Sequence, residues 1–313
     1  MSRFANIVSK ETVKQFAQGA AQSAAMPLAN FIAPTVDVAS GVGYYKQYTA
    51  KNRFRIPETK RGLGGRATML QFDAQDQTFN CTPHALDYAV DRLEQVGNDE
   101  DAVKEASVAV AEVAMLAHEK AVIDAALTAA GSGTNSNFTS SSVDPVAILD
   151  AEILTVLKAA KYGSAMGIRV VFGATAFSRF RNNANVRGRF VAGTQAKGAA
   201  PGIVTPQISD VGSLLLGGPK AEVSFMVYDN AGEGLAESIQ FMLDTAILIF
   251  ACKDTPTRRD PSFMKTFRLM GNWMVPKSYV RDDNRVDVLG FDWSEDIKVT
   301  NSAAVSRINA TNS

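Results

Sequence analysis

The chain has 313 residues, 32 Lys and Arg against 32 Asp and Glu, and no net charge at neutral pH. That length supports one large domain or two ordinary ones with a substantial core, and the balance of charge excludes a protein whose main task is gripping a nucleic-acid backbone. Neutrality also favours self-association, because no net repulsion keeps copies apart.

The first stretch, residues 1–44, reads as an arm. Val13, Phe16 and Ala20 line one face of a short helix beginning at "SKET". Pro27, Pro34 and small residues then break any period, which predicts extended chain laid over another surface. The start has no continuous apolar stretch of the signal-peptide type. The longest apolar run, Ala246 to Cys252, is far too short to span a bilayer.

Residues 45–81 read as a long hairpin. Phe54 and Ile56 alternate with Arg53 and Arg55, and Leu70 and Phe72 alternate with Met69, Gln71 and Asp73 on the return. Pro57 ends the first strand, and "KRGLGG" supplies the tip. Each limb would reach about 30 Å. A bare ribbon of that length is marginal in water and needs a surface to lie on.

Residues 98–130 carry the strongest helical signal. Asn98 or Asp99 caps, acids fill the first turn, and Val103, Ala106, Val110, Val113 and Ala117 recur at helical spacing. Glu100 with Lys104 and Lys120 with Asp124 form i, i+4 pairs, and Gly131 and Gly133 end the helix. The result is a rod of about 50 Å. Beyond the polar connector 131–142, Asp144 and Pro145 start a helix running to about Tyr162, "IRVVF" (168–172) is a buried strand, and Thr175 caps "AFSRFRNN". Residues 187–202 are expected to be an exposed glycine-rich loop. Strands are expected at 213–216, 222–228 and 245–251, and in the C-terminal "SFMKTFRLM", "RVDVLGF" and "DIKVTN".

A search for chemistry returns little. "GLGGRAT" has neither the GxGxxG spacing nor the GK[ST] ending of a phosphate loop, and it stands inside a hairpin. Cys81 and Cys252 have no zinc spacing and read as buried reduced thiols. His118 reads as a surface histidine of the long helix and His84 as a solvated loop residue. No GxSxG is present, and Asp282 with Asp283, or Asp73 with Asp76, read as polar turns. The expectation is therefore no enzyme, no cofactor and no metal. The cations Lys51, Arg53, Arg55, Lys60, Arg61 and Arg66 stand against the single acid Glu58. Of three readings (phosphate contact, a solvated face, a protein contact), the projecting hairpin favours arginines reaching the carboxylates of a neighbour.

The order of these segments resembles that of the major capsid proteins of tailed bacteriophages, whose fold encapsulins share. The resemblance lies in "YYKQYTAKNRFRIPETKRGLGGRATMLQFDAQDQTFNC", similar to an extended E-loop; "DEDAVKEASVAVAEVAMLAHEKAVIDAAL", similar to a spine helix; "GIRVVFGATAFSRFRNNANVRGRF", similar to an axial-domain strand and helix; and "DPSFMKTFRLM" with "RVDVLGFDW", similar to the last strands. It implies an α+β chain of the Hong Kong 97-type major capsid fold. The implied divisions are an N-terminal arm (1–44), an E-loop (45–82), a peripheral domain with the spine helix (83–142), an axial domain (143–255), and a returning β segment shared by both domains (256–313). It further implies a homo-oligomer of pentamers and hexamers forming an icosahedral head, assembled in the host bacterial cytoplasm and located in the virion. The partners would be a portal, scaffolding or decoration proteins, and double-stranded DNA held by weak non-specific contact, with no membrane. Arg53, Phe54, Arg55, Ile56, Lys60, Arg61 and Arg66 would be inter-subunit contacts. Residues 1–44 are shorter than a cleaved scaffolding segment, so scaffolding would be a separate protein or dispensable. Loop 187–202 would belong to the axial tip or to another surface. An encapsulin shell is the alternative reading.

Overall fold

Two mixed sheets share one long helix. A computed structural model of the chain describes residues 27–48, 56–70, 74–91, 99–160, 166–195, 205–232, 235–282 and 285–312. The predicted helix around Val13, Phe16 and Ala20 lies outside the described residues, as do Lys51, Arg53, Phe54, Arg55, Phe72, Asp73 and Asp283.

The chain enters through helix α1 (Pro27–Ile32) and strand β1 (Thr35–Val38). Leu28, Ala29, Ile32 and Ala33 are buried in the main core, so this part of the expected extended arm is a helix set into the protein. Strands β2 (Val42–Tyr48) and β3 (Ala74–Asn80) pair antiparallel, Val42 opposite Asn80 and Tyr48 opposite Ala74. Strand β4 (Thr82–Asp91) carries His84, which is exposed but stacks on Trp293 at 5.5 Å on a strand rather than in the expected loop.

Helix α2 (Asp99–Ala130) matches the predicted rod, and Gly131 and Gly133, both at positive φ, end it. Its buried face differs from the one read off the spacing. Ala106 and Val110 are buried, but Val113 is 55 % exposed and Ala117 is exposed. The face toward the protein runs through Ala111, Ala114, His118, Val122 and Ala126. Nearly every turn of α2 carries alanine or valine on several sides, so apolar spacing alone could not choose the face. His118 is therefore buried, not at the surface.

Strand β5 (Thr134–Asn137), helix α3 (Pro145–Ala160), strand β6 (Ile168–Gly173) and helices α4 (Ala174–Asn182) and α5 (Ala184–Gln195) follow. The Asp144 carboxylate accepts the Val146 amide at the head of α3. Helix α4 starts one residue before Thr175, the expected cap, and has Gly173 at its N-cap position. Helix α5 occupies most of the segment expected as loop 187–202. Likewise α6 (Ile208–Leu214) replaces the strand expected at 213–216, and the expected strand 222–228 is two, β7 (Lys220–Ser224) and β8 (Val227–Asp229). Strand β9 (Ile239–Phe241) pairs with β8, and β10 (Ala246–Ala251) is buried at every position.

The C-terminal strands are β11 (Met264–Leu269), β12 (Val275–Val280), β13 (Val286–Val299) and β14 (Val305–Thr311). The two runs read separately as "RVDVLGF" and "DIKVTN" are one continuous strand, β13. It pairs with β4 along one edge and with β12 and then β11 along the other, and β1 lies parallel beside β11. The second sheet has the order β5, β14, β10, β6, β7. Its central strands bury Val170, Val171, Phe172 and Ile247 to Phe250 against α3 and α4. Helix α2 joins the two halves: Ala106 to Ala114 pack with Leu289, Phe291 and Trp293, and Val122 to Ala126 join the main core.

Gly173 closes β6 where a side chain has no room. A Cβ there would sit 2.2 Å from the Asp244 carbonyl oxygen, and that loop also accepts the Ala174 and Ala176 amides. Gly173→Ala is expected to destabilise the subunit by about 1–3 kcal/mol, read as a lower midpoint in urea denaturation.

Candidate assembly surface

The hairpin has a fixed root, and among its described residues 56–70 are almost all exposed. At the root, Phe79 stacks on Phe267 at 4.6 Å and Tyr45 stacks on the same ring at 5.6 Å. Gly43 is required opposite Phe79, since a Cβ would lie 2.6 Å from that ring. Arg258 covers Phe79 at 5.2 Å and donates to the Tyr44 carbonyl. Gln47 donates to the Thr300 carbonyl at 3.1 Å, and the Asn80 amide donates to Asp296 at 2.7 Å. Burial raises the pKa of Tyr45, with Asp296 adding to it, so the phenol stays neutral.

Residues 56–70 are exposed except for the half-buried Pro57, and they form no strand, unlike the predicted alternating limbs at Ile56 and Leu70. Pro57 has no amide to donate, and three glycines and a run of cations give a ladder little to hold. Instead, Gly65 donates to the Gly62 carbonyl at 2.9 Å, with Gly64 at φ +81°. That is a type II turn, in which glycine is needed at the third position. Arg61 donates to the Gly65 carbonyl at 2.9 Å, and the Thr68 hydroxyl to the Glu58 carbonyl at 3.2 Å, bridging the limbs.

The structure brings Ile56, Lys60, Arg61 and Arg66 onto this one projection. Ile56 is 94 % exposed and Leu63 and Met69 are nearly fully so. Among the described residues, no carboxylate pairs with Lys60, Arg61 or Arg66. Apolar and cationic side chains thus alternate in solvent on a segment whose root is locked to the β11–β13 sheet. An exposed surface that is apolar and cationic together is of the kind found at contacts between molecules.

A second exposed apolar patch lies on the β8–β9 ribbon. Phe225, Val227, Ile239 and Phe241 are exposed, and a shallow depression of about 390 Å³ is lined by Val227, Ile239, Gln240, Phe241 and Asp244. The ribbon follows β7 and precedes β10, at the end of the second sheet away from β11. The sequence reading passed over it. One signal was present: residues 221–251 hold five acids and no base.

Chemistry is sparse elsewhere. Among the described residues no three His, Cys, Asp or Glu side chains are grouped to hold a metal ion, and no helix is long and apolar enough to cross a membrane. Cys81 and Cys252 are free and buried. Burial pushes the Cys252 thiol up to about 11. Buried ionic groups serve packing. Lys265 donates to the Thr257 carbonyl at 2.7 Å and lies 3.2 Å from Asp260. Glu295 receives His118 Nδ1 at 2.9 Å, Trp293 Nε1 at 3.2 Å and Arg268 at 3.4 Å. Burial alone would raise the pKa of Glu295, but the contacts with His118, Arg268 and Trp293 outweigh it and hold the carboxyl ionised. His118 therefore donates through Nδ1, because a carboxylate only accepts.

No family model matches the sequence, and no curated protein sequence matches it. Solved structures do. A phage-related protein from Bordetella bronchiseptica superposes with a TM-score of 0.67 at 16 % identity, over 95 % of each chain. The capsid structure of a cyanophage matches at 0.54 and 12 % identity, over 89 % of this chain and 86 % of the other. The holo encapsulin complex from Synechococcus elongatus matches at 0.54 and 11 % identity, over 91 % of this chain and 87 % of that one. The chain has the fold shared by phage capsid proteins and encapsulins, as its order of segments predicted.

Proposed function

We propose that the chain is a shell-forming structural protein, the major capsid protein of a tailed phage, which encloses double-stranded DNA in an icosahedral head. The observation that carries this reading is the projection 56–70, apolar and cationic and almost wholly exposed, on a root fixed by Phe79, Tyr45 and Phe267. A subunit that keeps this surface bare in isolation covers it in an assembly. In this reading the projection is the E-loop and α2 the spine helix. Arg53, Phe54 and Arg55 are further contacts beside Ile56, Lys60, Arg61 and Arg66, and the α3–β10 half is the axial domain. Zero net charge fits subunits that pack edge to edge without long-range repulsion.

The likeness to an encapsulin supports a second reading, a nanocompartment shell around a cargo protein. The contents separate the two. Particles purified from the native source are expected to hold nuclease-protected double-stranded DNA. Particles filled with one co-purifying protein and free of DNA would favour the compartment and remove the phage-head reading.

A further inference from the structure

Among the described residues, Glu119 is the one carboxylate on the buried face of α2 between its two cores. It is fully buried. Its Oε2 accepts the Ala29 amide at 2.9 Å, and its Oε1 has no hydrogen-bond partner among the described residues. Ala29 belongs to the first turn of α1, whose amides have no acceptor inside the helix. Glu119 thus caps α1 from across the fold, and α1 leads through β1 into β2, the root of the projecting hairpin.

Among the described residues, the surroundings offer Glu119 no compensating charge. Helix α1 carries no ionisable side chain. On α2, His118 is engaged with Glu295, which Arg268 also reaches, and Lys120 pairs with Asp124. From β4, His84 stacks on Trp293 and Asp87 accepts from Tyr279; from β14, Arg307 bonds Asn309 and the Gly131 carbonyl. An ionised Glu119 would hold a full charge in a buried site with one donor among the described residues, and a protonated Glu119 would not.

We propose that Glu119 is a protonation-dependent latch that fastens α1, and with it the root of the hairpin, to the long helix α2. The latch is closed when the carboxyl keeps its proton and weakens when the carboxyl ionises. Burial raises the Glu119 pKa from 4.5 to about 7, with the Ala29 amide opposing the rise. The folded state therefore binds the proton more tightly than the opened state does. Its contribution to stability is complete below about pH 4.5 and is lost as pH rises to about 7.

Hydrogen exchange on the full-length protein tests this, comparing residues 27–38 with β6 at pH 5.5 and pH 8.5 after correction for intrinsic exchange rates. Opening of 27–38 is expected to increase on the order of 30-fold over that range relative to β6, and Glu119→Gln, which still accepts the Ala29 amide, is expected to abolish the increase. His118 and Glu295 are intact in that variant, so a pH dependence of their own would persist in it. Equal pH responses of 27–38 and β6 in the unsubstituted chain would overturn the latch, and so would an unchanged response in the variant. The first comparison stands even if the variant does not fold.

Discussion

Replacing Lys60, Arg61 and Arg66 together by glutamate is expected to abolish shell formation and to leave the folded subunit intact. All three side chains are exposed and have no carboxylate partner among the described residues, so reversal costs the isolated subunit almost nothing. In the assembly each cation that meets a carboxylate contributes up to about 1 kcal/mol, and reversal turns that attraction into a repulsion of similar size. Three such changes on every subunit, repeated around each capsomer, exceed what a weak contact between subunits can absorb. Circular dichroism and the urea midpoint are expected to match the unsubstituted protein, while light scattering shows only small species. Normal shells would mean that the projection makes no charged contact. A variant that unfolds would mean that it belongs to the subunit's own core.

Glu295→Ala is expected to be the most destabilising single change inside the subunit, by about 3–5 kcal/mol, because it strands the buried His118 and the half-buried Arg268 at once. Trp293 loses its acceptor in the same step. Lys277→Ala, which breaks the exposed 4.0 Å pair with Asp292, is expected to change stability by less than about 0.5 kcal/mol. Urea denaturation of both variants provides the comparison. The sign with pH is opposite to that of Glu119. The Glu295 carboxyl is held below its ordinary range, so its contribution is present above about pH 4.5 and is lost as pH falls through its lowered folded value. A Glu295→Ala protein as stable as Lys277→Ala would show that the cluster is not an anchor for α2.

The elements that were legible in the sequence are those whose signals are local. Acids at the head of α2 and glycines at its end mark both limits; Asp144 and Pro145 mark the start of α3; and the unbroken run in β10 marks a strand buried on both faces. Helix α5 was hidden by Gly188 and Gly193, and α6 by Gly212, because glycine reads as a breaker where tertiary packing overrides it. The continuity of β13 was hidden by Asp292, Ser294 and Glu295, polar residues between the two runs read as separate strands; Gly290, inside the first run, stands where β4 comes close, since a Cβ would lie 2.9 Å from the Leu86 carbonyl oxygen. On the candidate surface, the cations of 51–66 were plain from composition. The lock at its root was not, since Phe79 and Phe267 are far apart in sequence and their stacking is a product of the fold. His118 and Glu119 could have been placed by stepping four residues from Ala114 to His118 and Val122, a face visible only once Val113 is known to point outward.

Electron microscopy of the purified, unsubstituted protein tests the central claim most directly. The account predicts closed shells in which five- and six-fold rings of subunits alternate and density for residues 56–70 of one subunit lies across its neighbour. A population that stays strictly monomeric at high concentration across low and high salt, with residues 56–70 free in solvent, would contradict it.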